Sequence, residues 1–362
     1  MHKRNMTATT GRKLVIQIPC FNEAEQLPAT LAALPREVQG FCRVEWLVID
    51  DGSSDATAEV ARAHGADHVV RHATNRGLAT AFMTGLETAL RLGADVIVNT
   101  DADNQYDATC IPDLVAPVLT GRAQMVVGAR PIVDHDGFSL VKKLLQRLGS
   151  WVVRKASGTS VPDAPSGFRA ISRALAMRLY VFNAHTYTLE TIIQAGRMKE
   201  PVVSVPVRVN PATRESRLIK SMMGYVFRSA VTIIRIFVLY KPLRFFAVLS
   251  AALALPGILA FARFLVFYLQ GDGGGHIQSL VIGAALIAAG TMTLIGGLLA
   301  DLVAANRVLL AEVRGRLLAS ELNESRRQPV APELLGAREQ SDAIWKKAKT
   351  TPGAIDRPEG HV

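Results

Sequence analysis

A mostly parallel α/β sheet followed by two membrane-spanning helices is the architecture predicted by this 362-residue sequence. Three observations predict it. Between Lys13 and about Val209, short β-rich apolar runs alternate with longer helical patterns. The early apolar runs end in polar or acidic segments at Pro19 to Glu23, Asp50 to Asp55 and Asp101 to Gln105. After Arg244, two long apolar stretches carry between them one charge, Arg263.

The elements follow in order. The run KLVIQIP precedes the helical EAEQLPATLAAL; VEWLVID precedes DATAEVARAHG; DHVVRH precedes LATAFMTGLETALRLG; DVIVNTDAD precedes IPDLVAPVLTG; and QMVVGAR closes the series. Such alternation builds a sheet with helices on both faces, and ligands bind such sheets at the carboxyl ends of the strands. The two apolar stretches, about 245–269 and 277–300, are each long enough to cross a hydrocarbon core of ~30 Å. Their connector GDGGGH lacks Lys and Arg, whereas Lys241 and Arg244 precede the first span and Arg307, Arg314 and Arg316 follow the second. Positive charge on the cytoplasmic side puts both ends in the cytoplasm. Arg263 lies near the outer end of its span, within snorkelling reach of the headgroups. Gly283, Gly290, Gly296 and Gly297 permit close helix packing, either within one chain or between protomers of a homo-oligomer.

Between sheet and spans lie eight cations, Arg208, Arg214, Arg217, Lys220, Arg228, Arg235, Lys241 and Arg244, against Glu215 alone. At about 100° per residue, Arg217, Arg228 and Arg235 share one side of a continuous helix with apolar residues between them. This is the pattern of an amphipathic helix lying in the membrane interface. The expected organisation is a disordered tail over 1–12, a sheet domain over 13–210, a basic juxtamembrane region over 211–243, two transmembrane helices over 244–305 and a cytoplasmic tail over 306–362.

Composition narrows the function classes. The chain is 49% hydrophobic and 20% charged, which excludes a disordered chain and exceeds what a soluble enzyme needs. Its three cysteines form no C-x-x-C pair, against a disulfide framework or a cysteine zinc site. The formal charge of +10 points to an anionic partner; because most of it is juxtamembrane, a lipid phosphate fits better than nucleic acid. No G-x-G-x-x-G follows an early strand, and the eight histidines show no H-E-x-x-H spacing. The first dozen residues lack a signal-peptide apolar core, so the sheet domain is expected in the cytoplasm.

Asp101 and Asp103, two apart at a strand end with Gln105 beyond, are hard oxygen ligands suited to Mg²⁺ or Mn²⁺ shared with a diphosphate. The segment Val48 to Asp55 adds an acidic pair, Asp50 and Asp51, and a Gly-Ser turn, while Pro19-Cys20-Phe21-Asn22-Glu23 ends the first strand. With these segments the chain resembles a family 2 glycosyltransferase of the GT-A fold, and more closely the polyprenyl-phosphate branch that includes dolichol-phosphate mannose synthase. The resemblance covers about Lys13 to Arg244 and extends to both spans.

The resemblance implies that Pro19, Phe21 and Glu23 pack against the nucleotide base and ribose, that Asp51 with Asp50 receives a base donor group, and that Asn75 and Gly77 form the turn beside the nucleotide. Asp101, Asp103 and Gln105 match the metal segment. Gly128-Ala129-Arg130 resembles the motif that places a cation near the donor phosphates, which makes Arg130 catalytic. Asp163 to Arg169 resembles the D-x-x-S-G-F-R segment beside the reacting sugar and acceptor; Asp163 there orients the acceptor, stabilises charge on the sugar, or acts as base. Arg214-Glu215-Ser216-Arg217-Leu218 resembles the G-E-S-K-L loop, with an arginine fork where an ammonium is usual. Arg169, Arg208, Arg214, Ser216 and Arg217 are accordingly expected at the acceptor phosphate.

The implied reaction is inverting transfer of one sugar from a nucleotide diphosphate sugar to undecaprenyl or dolichyl phosphate. UDP-glucose or UDP-N-acetylhexosamine is favoured, and GDP-mannose is the other donor. The expected location is the inner (plasma) membrane, multi-pass, with sheet domain and C-terminus cytoplasmic. A catalytically silent membrane adaptor and a transferase with a different lipid acceptor are the alternatives. A processive synthase would need a longer transmembrane bundle and a Q-x-x-R-W segment, and neither is present.

Overall fold

Lys13–Cys20 forms strand β1, and its residues from Leu14 onward are all buried, as only a strand covered on both faces can be. The computed structural model describes residues 11–131, 157–181, 187–211, 240–271 and 274–327, with isolated positions at 154, 231, 235 and 238. Strands β2 (Arg43–Asp50), β3 (His68–Arg71), β4 (Val96–Asn99), β5 (Met125–Ala129), β6 (Arg169–Ser172) and β7 (Val202–Pro206) complete a seven-stranded sheet in the order β3-β2-β1-β4-β6-β5-β7. Every pairing is parallel except those of β6, which lies antiparallel between β4 and β5. The winding reverses between β1 and β4, and their carboxyl ends open the crevice in which such sheets bind ligands.

Helices α1 (Leu27–Ala33), α2 (Thr57–Ala63), α3 (Leu78–Arg91), α4 (Ile111–Leu119), α5 (Arg173–Ala176) and α6 (Thr188–Arg197) flank the sheet. The first helical run expected from the sequence begins four residues late, at Leu27. Pro28 explains this, since its fixed φ favours the first turn and its missing N–H is not needed there. Leu14, Ile16, Ile18, Leu31, Leu114 and Phe168 belong to one buried core cluster.

Helices α7 (Pro242–Leu269) and α8 (Ile277–Arg327) are long and apolar enough to cross a membrane. They are not core helices of a soluble domain, because Leu269 is 77% and Met292 74% exposed. Three of the four small positions pack the pair together. A Cβ on Gly283 would lie 2.9 Å from the Gly257 carbonyl oxygen, one on Gly290 3.0 Å from that of Ser250, and one on Gly297 2.5 Å from the Phe246 Cβ. The seven-residue spacing keeps these glycines on one seam, and the Ser250 hydroxyl donates across it to the Gly290 carbonyl at 2.7 Å. Gly296 faces open space. Gly290→Leu should therefore lower the thermal midpoint of the detergent-solubilised protein while Gly296→Leu leaves it unchanged; equal losses would place Gly296 against a second protomer.

The expected end of the second span near 300, with a tail from 306, differs from the structure, in which α8 continues to Arg327. From Asp301 to Arg327 the sequence has no proline, and Arg316 pairs with Glu312 one turn back at 3.2 Å. As far as Arg316 the extension is also docked on the sheet domain. Arg314 donates to Glu87 of α3 at 2.6 Å and to the Leu179 carbonyl, and Arg178 meets Glu312 at 3.4 Å. From Leu317 the chain forms a separate unit whose described part is the end of α8. The basic helix expected over 211–243 lies almost wholly outside the described residues.

Candidate active site

Three strand tips meet at the switch point. The carboxylates of Glu23, Asp50, Asp55 and Asp101 all reach Cys20 at the end of β1, whose thiol is pushed well up, first by burial and then by these charges. The β1 tip is fastened to the turn after β2. The Asn22 N–H donates to the Ser53 hydroxyl, the Asn22 side chain accepts from Ser54 N–H, and Glu23 N–H donates to the Thr57 hydroxyl at 3.0 Å. Asn22 takes a left-handed φ of 53°, which asparagine tolerates better than most residues. Pro19 is buried in β1, while the Phe21 side chain stands 43% exposed and offers a free aromatic face.

Asp50 and Asp51 are both buried and both paired. Asp50 accepts from Ser53 N–H at 2.9 Å and pairs with Arg71 at 3.1 Å. Asp51 accepts from the backbone N–H groups of Arg76 at 3.0 Å and Gly77 at 2.8 Å and meets His72 Nδ1 at 2.7 Å. Asp51 thereby fixes the turn carrying Asn75 and Gly77, where Asn75 Oδ1 also accepts from Gly77 N–H. Sequence reasoning missed His72, although it directly follows β3 at the same edge as the other tips. Its second nitrogen meets the Thr84 hydroxyl at 3.0 Å, tying Asp51 to α3.

At the β4 tip, neither Asp101 oxygen takes a hydrogen bond among the described residues. Burial first, and then the neighbouring Asp103, push the Asp101 carboxyl up to about 6. Gly167 permits this arrangement, since a Cβ there would lie 2.8 Å from one Asp101 oxygen and 3.0 Å from the Tyr187 hydroxyl. The Gly167 backbone is held from both sides. Its N–H donates to the Tyr106 hydroxyl, and its carbonyl accepts from Asn99, which also donates to Tyr187 and accepts from Gln17. Tyr106, Tyr187 and Asn99 lie outside the sequence-predicted set; Tyr187 stands in no motif that could have marked it.

Asp103 accepts from Gln105 N–H at 3.1 Å. The Gln105 side-chain oxygen instead faces Arg130 at 3.5 Å, a poor place for a cation's ligand. Among the described residues no three His, Cys, Asp or Glu side chains gather as a metal cage. Two carboxylates at i and i+2, one of them without a hydrogen bond, nevertheless fit a hard divalent ion whose remaining ligands are water and substrate phosphate.

Arg130 lies beside this tip. Its Nε donates to Asp163 at 2.7 Å and its Nη2 to the other Asp163 oxygen at 3.0 Å. Burial alone would lower the guanidinium, but the Asp163 hydrogen bonds outweigh it and hold Arg130 above its ordinary value. A base role for Asp163 does not fit, because the carboxylate is fully buried with both oxygens held by one cation. Arg169 differs too. It is fully buried and donates to Ser166 O, Ala164 O and the Thr191 hydroxyl, so it braces the Asp163 to Gly167 loop rather than facing an acceptor. Burial lowers it to about 10.

Arg208 is 71% exposed and donates to Asp107 at 2.7 Å. Its strand end runs beside the metal segment, through a Tyr106 to Val209 bridge and the Asn210 N–H donating to Gln105 O. Arg214, Ser216 and Arg217, the other acceptor-phosphate candidates, lie outside the described residues.

Known proteins match this chain in sequence and in fold. The family model described as Glycosyl transferase family 2 matches residues 15–180. An uncharacterized glycosyltransferase of Mycobacterium bovis is 32% identical over 60% of this chain and 94% of its own length. The undecaprenyl-phosphate 4-deoxy-4-formamido-L-arabinose transferase of Yersinia pestis is 28% identical over 84% of this chain and 94% of its own. The undecaprenyl-phosphate mannosyltransferase of Micrococcus luteus is 29% identical over 57% and 88%. A crystal structure of glucosyl-3-phosphoglycerate synthase from Mycobacterium tuberculosis in complex with phosphoglyceric acid shares the fold, at 22% identity and a TM-score of 0.50 over 63% of this chain and 79% of that one. The chain belongs to glycosyl transferase family 2 and is a glycosyltransferase.

Proposed function

We propose that the protein is a membrane-bound inverting glycosyltransferase that moves one sugar from a nucleotide diphosphate sugar to a polyprenyl phosphate. The carrying observation is the Asp101 and Asp103 pair, set with Arg130 at the switch point of a sheet whose chain continues into two largely unburied apolar helices. Two relatives are named for transfer to undecaprenyl phosphate, which supports that acceptor over dolichyl phosphate. UDP-glucose or a UDP-N-acetylhexosamine is the favoured donor, and the mannosyl-transferring relative keeps GDP-mannose beside them. The inner membrane, with the sheet domain and C-terminus cytoplasmic, is where such a donor and acceptor meet.

Phe21 stacks on the base, and Asp51 holds the Asn75 to Gly77 turn against the nucleotide. Asp101 and Asp103 would hold Mg²⁺ or Mn²⁺, which when bound neutralises charge on the donor diphosphate. Arg130, aimed by Asp163, adds a second positive charge for the leaving group. The acceptor monophosphate, received at Arg208 and the Arg214 to Arg217 loop, attacks the anomeric carbon from the opposite face. Its second pKa is about 6, so it arrives ionised and needs no strong base.

The raised Asp101 carboxyl gives a pH test. Below about 6 it carries a proton that a metal must displace, so Mn²⁺ affinity should climb as pH rises through that value and level off above it. An affinity flat from pH 5 to 8 would remove Asp101 from the ligand set. The function itself is tested by offering the purified, solubilised protein a panel of labelled UDP and GDP sugars with undecaprenyl phosphate and Mg²⁺ or Mn²⁺. Labelled lipid from one donor names the sugar; no product from any donor, with folded protein and metal present, favours the silent adaptor.

A further inference from the structure

A second binding feature lies at the opposite end of the sheet domain. An open cavity of about 220 Å³ is lined by the end of α6, by Tyr180 after α5, by Tyr240 just ahead of α7 and by one side of α8 from Ala304 to Arg314. It is not part of the catalytic crevice. Helix α6 starts beside Tyr187, under the Asp101 tip, and reaches the cavity at Arg197, a run of ten residues or about 15 Å.

Its position and lining define an occupant. Tyr240 is two residues before the start of α7, and Ala304 lies four beyond the end of the apolar run of α8, so the cavity sits where both spans leave the bilayer. Arg197, Arg307 and Arg314 line it, with no carboxylate among the lining residues. Arg314 is engaged by Glu87. Arg197 makes no hydrogen bond or ion pair among the described residues; it stands over the Tyr240 ring at 5.8 Å, and burial lowers its pKa against the opposing charge of nearby Asp301. Met198, Leu310 and Ala311 supply apolar wall beside these cations. A cationic pocket with apolar walls at a membrane surface matches a phosphodiester joined to acyl chains, and matches a compact soluble anion less well.

We propose that this cavity binds the headgroup phosphate of an anionic membrane phospholipid, apart from the sugar acceptor. The site rests on α7 and α8 spanning a membrane, but not on which sugar or acceptor the catalytic crevice uses.

The test is lipid retention by the purified full-length chain, read by native mass spectrometry after titration with phosphatidylglycerol or phosphatidylcholine. The wild type should retain phosphatidylglycerol preferentially. Arg197→Gln and Arg307→Gln should each reduce that retention about fivefold, the worth of one basic side chain at a charged surface. Ala311→Phe, which fills the cavity and removes no charge, should reduce it as well. Flotation with vesicles checks separately that each variant still inserts. Equal retention of the two lipids, or retention unchanged in all three variants, overturns the site. Displacement by inorganic phosphate or glycerol phosphate at concentrations matching the lipid also overturns it, by assigning the cavity to a soluble phosphate.

Discussion

Asp103→Asn should abolish metal-dependent transfer, by about 10³-fold or more, while membrane insertion and thermal stability stay close to wild type. The change removes one hard anionic oxygen from the β4 tip and leaves the backbone N–H of Gln105 a neutral acceptor. It also removes the like charge that, after burial, raises Asp101, so the remaining carboxyl should ionise at lower pH. The check pairs a single-turnover assay with Mn²⁺ titration. Lost turnover with Mn²⁺ binding intact would leave Asp103 a role in the reaction but not as a ligand, and retained turnover would reject the assigned metal pair.

Asp163→Asn is the second large effect. The Arg130 fork would lose both charged acceptors, and breaking a buried pair by neutralising one partner costs about 3 kcal/mol. Both stability and transfer should fall. The pH profile separates a positioning role from a base. If Asp163 only aims Arg130, the variant is slower by the same factor at every pH; if it were the base, the factor would change with pH. Arg130→Lys, with Asp163 in place, should lose transfer as well, because an ammonium cannot reproduce the two-point contact with Asp163.

The parallel half of the sheet was legible because each buried strand is a continuous apolar run ended by polar residues, as in VEWLVID and DVIVNTDAD. Strands β6 and β7 were not. RAIS begins with an arginine that would mark a loop, yet Arg169 is buried because three protein oxygens satisfy its fork. VVSVP is half-buried and short, so its pattern is weak. At the site, residue types were legible and their partners were not. Asp51 looks like a base-binding carboxylate and Asp163 like a reacting one in the sequence, and only the fold shows the backbone amides and the guanidinium that they hold. The Tyr187, Asn99 and Gly167 cluster joins residues as much as 88 positions apart, beyond any local pattern. The extension of α8 was hidden by composition, since charged residues after a span read equally as a solvated tail or as a helix docked by Arg314.

The most direct measurement of the central claim compares acceptors for one donor: undecaprenyl phosphate, undecaprenyl diphosphate and the free polyprenol, each with the purified protein and metal, with the product's anomeric configuration read by NMR. Transfer confined to the monophosphate, with inversion and complete loss on chelation, is the predicted result. Transfer to the free alcohol, or retention of configuration, would contradict the account.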